Sequence, residues 1–70
     1  MIHHIAIMDY CKCNIKLVDI DLPKDAQVEE IEAYLIEHYS YHPDACYWMV
    51  SIDRPIDVEY TRVLNGLPSV

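Results

Sequence analysis

Between Pro23 and Pro43 the apolar residues recur at helical spacing, and this one stretch most constrains the fold. At 100° per residue, Val28, Ile31, Tyr34, Leu35, His38 and Tyr39 share a face, while Glu29, Glu30, Glu32 and Glu37 share the opposite one. Asp25 or Gln27 precedes the first turn, and acids there complement the helix dipole. The pattern predicts an amphipathic helix of about three to four turns. Pro43 blocks its continuation. A single helix with one apolar stripe must bury that stripe against something else in the chain.

The flanking segments supply the partner, because their periodicity switches to two. Residues 2–10 read as a strand with Ile5 and Ile7 on one face and His4, Ala6 and Met8 on the other. Residues 14–22 read as a second strand whose alternation slips. Ile15 and Leu17 have one parity, Val18, Ile20 and Leu22 the other, and a bulge near Leu17–Val18 would repair the slip. Residues 11–13 form the expected hairpin turn, without the Asn-Gly or Asp-Gly pair usual in tight hairpins, and a bent continuous strand is the alternative. Residues 45–52 are rich in aromatic and β-branched types. They place Cys46, Trp48, Val50 and Ile52 on one face, and Tyr47, Met49 and Ser51 on the other. After a turn at Asp53-Arg54-Pro55, residues 56–62 alternate with Ile56, Val58 and Tyr60 inward. The expected fold is α+β in the order ββαββ. It is a four-stranded, mostly antiparallel sheet with one amphipathic helix on one face, and 65–70 as a flexible tail. One helix cannot shield both faces of a sheet. The other face, with Tyr47, Met49 and Met8 or His4, is expected to be bare.

Seventy residues make one domain, 1–70, and a chain this short has a thin stability margin. Its composition offsets this: 53% of residues are apolar and one is Gly, which excludes a disordered chain. Six Tyr and one Trp provide most of the bulk, and each carries a polar group suited to a site with one wet edge. The formal charge is −7, and the five bases (Lys12, Lys16, Lys24, Arg54, Arg62) are scattered. A nucleic-acid binder needs a basic patch, so direct binding to nucleic acid is not expected. No apolar run approaches the ~20 residues of a membrane span. The N-terminal segment has no basic region of the kind that opens a signal peptide. Three cysteines are an odd number for a disulfide framework, and a reducing cytoplasm is the expected setting.

The cysteines also form the sharpest chemical candidate. On an extended segment Cys11 and Cys13 would point the same way. With His42 and Cys46 they would make a Cys₃His tetrahedron of the kind zinc accepts. The spacing is not that of a common zinc knuckle, and burial of free thiols explains the same residues. A thiol nucleophile is disfavoured, since Lys12 is the one adjacent cation in a negative chain. A single Gly at position 66 excludes phosphate-binding loops, and no Ser-His-Asp order has supporting context. No catalytic residue and no cofactor is therefore expected.

The acids give a third candidate. From Asp25 to Glu37 there are five acids and no base. Such a ridge can imitate a phosphate backbone and occupy the basic cleft of a nucleic-acid-binding protein. Ile36 lies among these acids, close to Glu29 and Glu32, and gives the surface a protein-contact character. Together the readings favour a small acidic, non-catalytic protein-interaction module that self-associates through the uncovered sheet face. The expected contact residues are Tyr10, Tyr41, Tyr47 and Met49 on the sheet side, and Glu29, Glu32 and Ile36 on the helix. The zinc module and the acidic mimic are the alternatives.

Overall fold

The computed structural model describes residues 1–61. Two eight-residue strands, β1 (Ile2–Asp9) and β2 (Asn14–Asp21), pair as an antiparallel hairpin. A helix, α1 (Val28–His38), follows, and then a third strand, β3 (Cys46–Ser51). β3 pairs antiparallel with β1, so the sheet order is β2-β1-β3 and β1 lies in the middle. The chain is α+β, as the periodicities predict.

The β1–β2 register runs one-to-one from Ile2↔Asp21 to Asp9↔Asn14, so no bulge interrupts it at Leu17–Val18. The slipped alternation has another cause: β2 carries apolar residues on both faces. Val18 and Ile20 face α1, and Ile15 and Leu17 face away. The turn spans residues 10–13 and is held by Asp9. Its Oδ1 accepts the backbone N–H of Cys11 at 2.9 Å and of Lys12 at 3.0 Å. An Asp that bonds the backbone two and three residues on does the work expected of Asn-Gly. Cys13 closes the turn at φ 56°, in the left-handed region usually given to glycine.

α1 begins at Gln27, whose backbone is extended and whose side chain makes no capping bond. That side chain instead donates to the Asp25 carbonyl at 3.0 Å. At the other end Ser40 takes φ 55°, turning the chain sharply enough for the Tyr41 N–H to reach the Leu35 carbonyl at 3.3 Å. The core lies between α1 and one sheet face. It consists of Ile5, Ile7, Ile20, Ile31, Leu35, Tyr41 and Cys46, flanked by Val18, Tyr34, Trp48 and Val50. Each fully buried aliphatic side chain there contributes about 1.5–3 kcal/mol relative to exposure. Val28, expected on the inner stripe, sits at the first helical position and is exposed.

Three further expectations are corrected. Among the described residues the sheet has three strands, and residues 56–61 form none. The Ser51 hydroxyl donates to the Arg54 carbonyl at 2.6 Å and bends the chain, and Pro55 has no N–H to offer a ladder. Pro55 and Ile56 then settle beside His4, Leu17 and Asp19 instead of returning along β3. Val58 and Tyr60, expected inward, are 60% and 82% exposed. Tyr41, expected at a contact surface, belongs to the core, where its hydroxyl donates to the Cys46 carbonyl at 3.1 Å. The tail at 65–70, and Arg62 at the end of the expected fourth strand, lie outside the described residues.

Candidate functional site

The site follows from the register. β1 pairs with a strand on each side, so His4, Ala6 and Met8 each have a neighbour on both sides, all facing away from α1. The first row, nearest the turn, is Ile15–Met8–Tyr47. The second is Leu17–Ala6–Met49, and the third is Asp19–His4–Ser51. The first two rows hold no polar side chain except the Tyr47 hydroxyl. Ile15 is 64% exposed, Tyr47 62%, Met49 53% and Leu17 51%. Tyr10, also exposed, extends the patch past the first row and meets the Tyr47 ring edge-on, with centroids 5.7 Å apart. Ala6 is buried between its larger neighbours and leaves the middle of the second row low.

The third row is polar. The His4 Nδ1–H donates to Asp19 Oδ1 at 2.7 Å, which fixes the imidazole tautomer. Sequence inspection misses this pair because the residues are fifteen apart and only the strand register makes them neighbours. A signal existed: both have the outward parity of adjacent strands. Ser51 stands on the other side of His4, giving an Asp-His-Ser row across the sheet. Its hydroxyl is committed to the Arg54 carbonyl, so the row does not form the relay that a serine nucleophile needs. Pro55 and Ile56 roof this end, leaving a hollow of about 210 Å³ walled also by His4, Leu17 and Asp19.

The thiol set is not gathered. Cys11 and Cys13 are exposed in the turn, and Cys46 is buried in the core. The two turn thiols do not lie on an extended segment, so the alternation that would align them does not apply. Among the described residues no group of three or more His, Cys, Asp or Glu side chains is placed to hold a metal ion. Cys46 stays close to the turn in another way, as one of the groups that depress the Asp9 carboxyl. The main cause of that depression is the Lys12 N–H, followed by the Cys11 N–H and the Lys12 charge.

The helix candidates lie on the far side of the molecule. Glu29 and Ile36 are exposed, and Glu32 is half-buried, near enough to Tyr41 for its charge to raise the phenol's pKa. His38 stacks against Tyr34 with ring centroids 4.3 Å apart, so it is a packing residue on the helix flank. The sheet and helix candidates therefore form two separate surfaces. One is apolar and nearly uncharged, and the other is acidic.

Among the described residues no helix is long and apolar enough to cross a membrane. Compared with protein-family models, with curated proteins and with solved structures, the chain gives no match.

Proposed function

We propose that the protein is a small acidic, non-catalytic interaction module that engages another protein through the open face of its sheet. One observation carries this reading: Met8, Ile15, Leu17, Tyr47 and Met49 stand together in two adjoining rows, all exposed. Scattered apolar residues at a surface are ordinary, but a contiguous patch of this kind marks a contact site. Met and Tyr are also the residue types enriched at protein interfaces. The three free cysteines, two of them exposed, suit a reducing compartment such as the cytoplasm. The acidic helix, on the opposite side, keeps the molecule dispersed while the sheet face is occupied.

Met49→Lys tests the reading. The side chain leaves the sheet away from the core, so fold and thermal midpoint are expected to stay close to the parent's. The substitution puts a charge in the middle of the patch, and any contact made through it is expected to weaken at least tenfold. Cross-linking in a cell extract, compared between parent and variant, gives the readout. Identical cross-linked bands from both chains would remove the reading.

A further inference from the structure

We propose that the free edge of β3 takes up an extended segment of another protein, which joins the sheet as a further strand and carries bases on either side of an apolar middle. The inference goes beyond the open-face reading, because the groups it uses belong to the backbone at the edge of the sheet.

The phase of the hydrogen bonds fixes which groups are on offer. The Tyr10 N–H donates to the Ala45 carbonyl at 2.9 Å, one step beyond the Asp9↔Cys46 pair of the β1–β3 register. In an antiparallel ladder, directly opposed pairs alternate between bonded and unbonded. Tyr47, Met49 and Ser51 therefore bond to β1, while Cys46, Trp48 and Val50 turn their N–H and C=O outward. The far side of β1 agrees. There the Leu22 N–H donates to the Met1 carbonyl at 3.1 Å, which gives the odd-numbered residues of β1 to β2 and leaves the even-numbered ones for β3. The Cys46 carbonyl agrees too, since it lies off the ladder and accepts the Tyr41 hydroxyl at 3.1 Å. That bond closes one end of the edge. Past it, Trp48 and Val50 each present a donor and an acceptor that have no backbone partner among the described residues. A row of such groups along an extended edge is matched in full by another extended backbone.

The opposite edge shows a protected strand for comparison. β2 carries Lys16, Asp19 and Asp21, and Pro55 and Ile56 settle beside Leu17 and Asp19. Charges and a covering segment are ordinary means of closing an edge. β3, with the sequence Cys-Tyr-Trp-Met-Val-Ser, has no charge, no proline and no glycine. Its side chains suit an added strand on both faces. Tyr47 and Met49 are exposed on the open face, and Trp48 and Val50 are half-buried on the helix side. Aromatic and β-branched side chains on an adjacent strand would pack against them.

Charge names the kind of partner. At a net charge of −7, a second copy of this chain is repelled, whereas a basic segment is attracted. Asp44 and Asp53 stand just before and just after the strand region, both exposed and in no ion pair among the described residues. Arg54 and Asp57 follow beyond the bend, so the surroundings of the edge stay net acidic. The complementary segment is thus uncharged in its middle and basic at its ends.

A displayed library of random short peptides, selected against the whole chain, supplies the probe. The strongest binder is expected to place β-branched or aromatic residues between lysines or arginines, and it is then resynthesised. Each of its backbone nitrogens is methylated in turn. Methylation at every second position, where the N–H faces β3, is expected to weaken binding at least tenfold, and methylation in between to change it little. This readout needs no change in the protein. By NMR, the bound peptide is expected to slow hydrogen exchange at the Trp48 and Val50 amides and to leave those of Tyr47 and Met49, already in the ladder, as they were. Val50→Pro removes an outward N–H and no ladder bond, so it is expected to abolish binding with the circular dichroism spectrum kept.

The absence of any binder, a methylation profile without a period of two, or protection away from Trp48 and Val50 would overturn the added strand. Binders without bases would overturn the stated chemistry of the partner. Self-association in sedimentation that Val50→Pro abolishes would put a second copy at the edge and overturn another protein as its occupant. The Met49→Lys cross-linking comparison keeps the two claims apart. Bands lost there while no peptide binds leave the open-face reading standing alone, and unchanged bands with a peptide bound at the edge do the reverse.

Discussion

Asp9 shows how one side chain can decide a turn. Its carboxylate bonds two backbone N–H groups of a loop that lacks glycine, and those bonds, with Lys12 nearby, hold its pKa below the ordinary 3.8. A carboxyl depressed in the folded state stabilises the fold above its unfolded pKa, and that contribution is lost as pH falls through the folded value. Asp9→Ala is therefore expected to lower the thermal midpoint at neutral pH, and the gap between variant and parent should close in strong acid. Thermal scans from neutral to acid pH would show it. Tyr41 is the opposite case. Burial, and then the charge of Glu32, raise its pKa above the ordinary 10.0. Its neutral form is favoured in the folded state, so this contribution is whole below the unfolded pKa and lost as pH rises through the folded value. Tyr41→Phe removes a hydrogen bond to the Cys46 carbonyl, at about 0.5–1.5 kcal/mol, and should make the fold less sensitive to alkali than the parent. Chemical denaturation at neutral and alkaline pH measures both effects. Leu35 is the least exposed core residue, at 0%. Leu35→Ala is expected to cost about 2–5 kcal/mol, a large share of what a domain of this size has, with loss of the cooperative thermal transition.

At the scale of elements, α1 is the part most fully written in the sequence. Its stripe, its prolines and its acids agree, and helix 28–38 is where the periodicity puts it. Its start is under-built. Gln27 makes no capping bond, so Gln27→Ser is expected to add about 0.5–1 kcal/mol and raise the thermal midpoint by a few degrees. Calorimetry is the direct check, and an unchanged midpoint would mean the first turn needs no cap. The strands were legible in place but not in every relation. β1 and β3 show which face is inward because one parity holds the branched and aromatic side chains. β2 hides it because Ile15 and Leu17 are apolar on the open side. A bulge and a two-faced strand produce the same slip in alternation, and only the register tells them apart. The segment 56–61 misleads for a related reason. Alternation says that a stretch is able to pair, and says nothing about whether the chain can reach a free edge. Here the Ser51–Arg54 bond and Pro55 send it across the open face instead.

For the whole molecule, the notable arrangement is the separation of its two surfaces. Acids crowd the helix side, and the open face is nearly uncharged over its first two rows. The crowded acids repel one another in the folded state, so added salt should raise stability by screening them. Thermal midpoints compared between dilute buffer and physiological ionic strength are expected to rise, and a flat response would mean that the acids are already compensated. An acidic mimic of nucleic acid would bind through the helix side with steep salt dependence, whereas a contact through the open face would vary little with salt. The same titration of binding thus distinguishes the two surfaces.

The sequence by itself determined the secondary structure of residues 2–51, the inner stripe of the helix and the α+β class. All of these follow from local periodicity and from the need to bury one apolar face. It also implied a bare sheet face, since one helix covers only one side. Which residues meet on that face was decided by the tertiary structure. The rows Ile15–Met8–Tyr47 and Asp19–His4–Ser51 exist because three strands far apart in sequence adopt one register, which turn geometry and core packing set together. The cysteine set failed for the same reason. Residue types that suit a metal are a local property, whereas their meeting requires a shared position in space. The fold puts Cys46 in the core and leaves Cys11 and Cys13 in the turn.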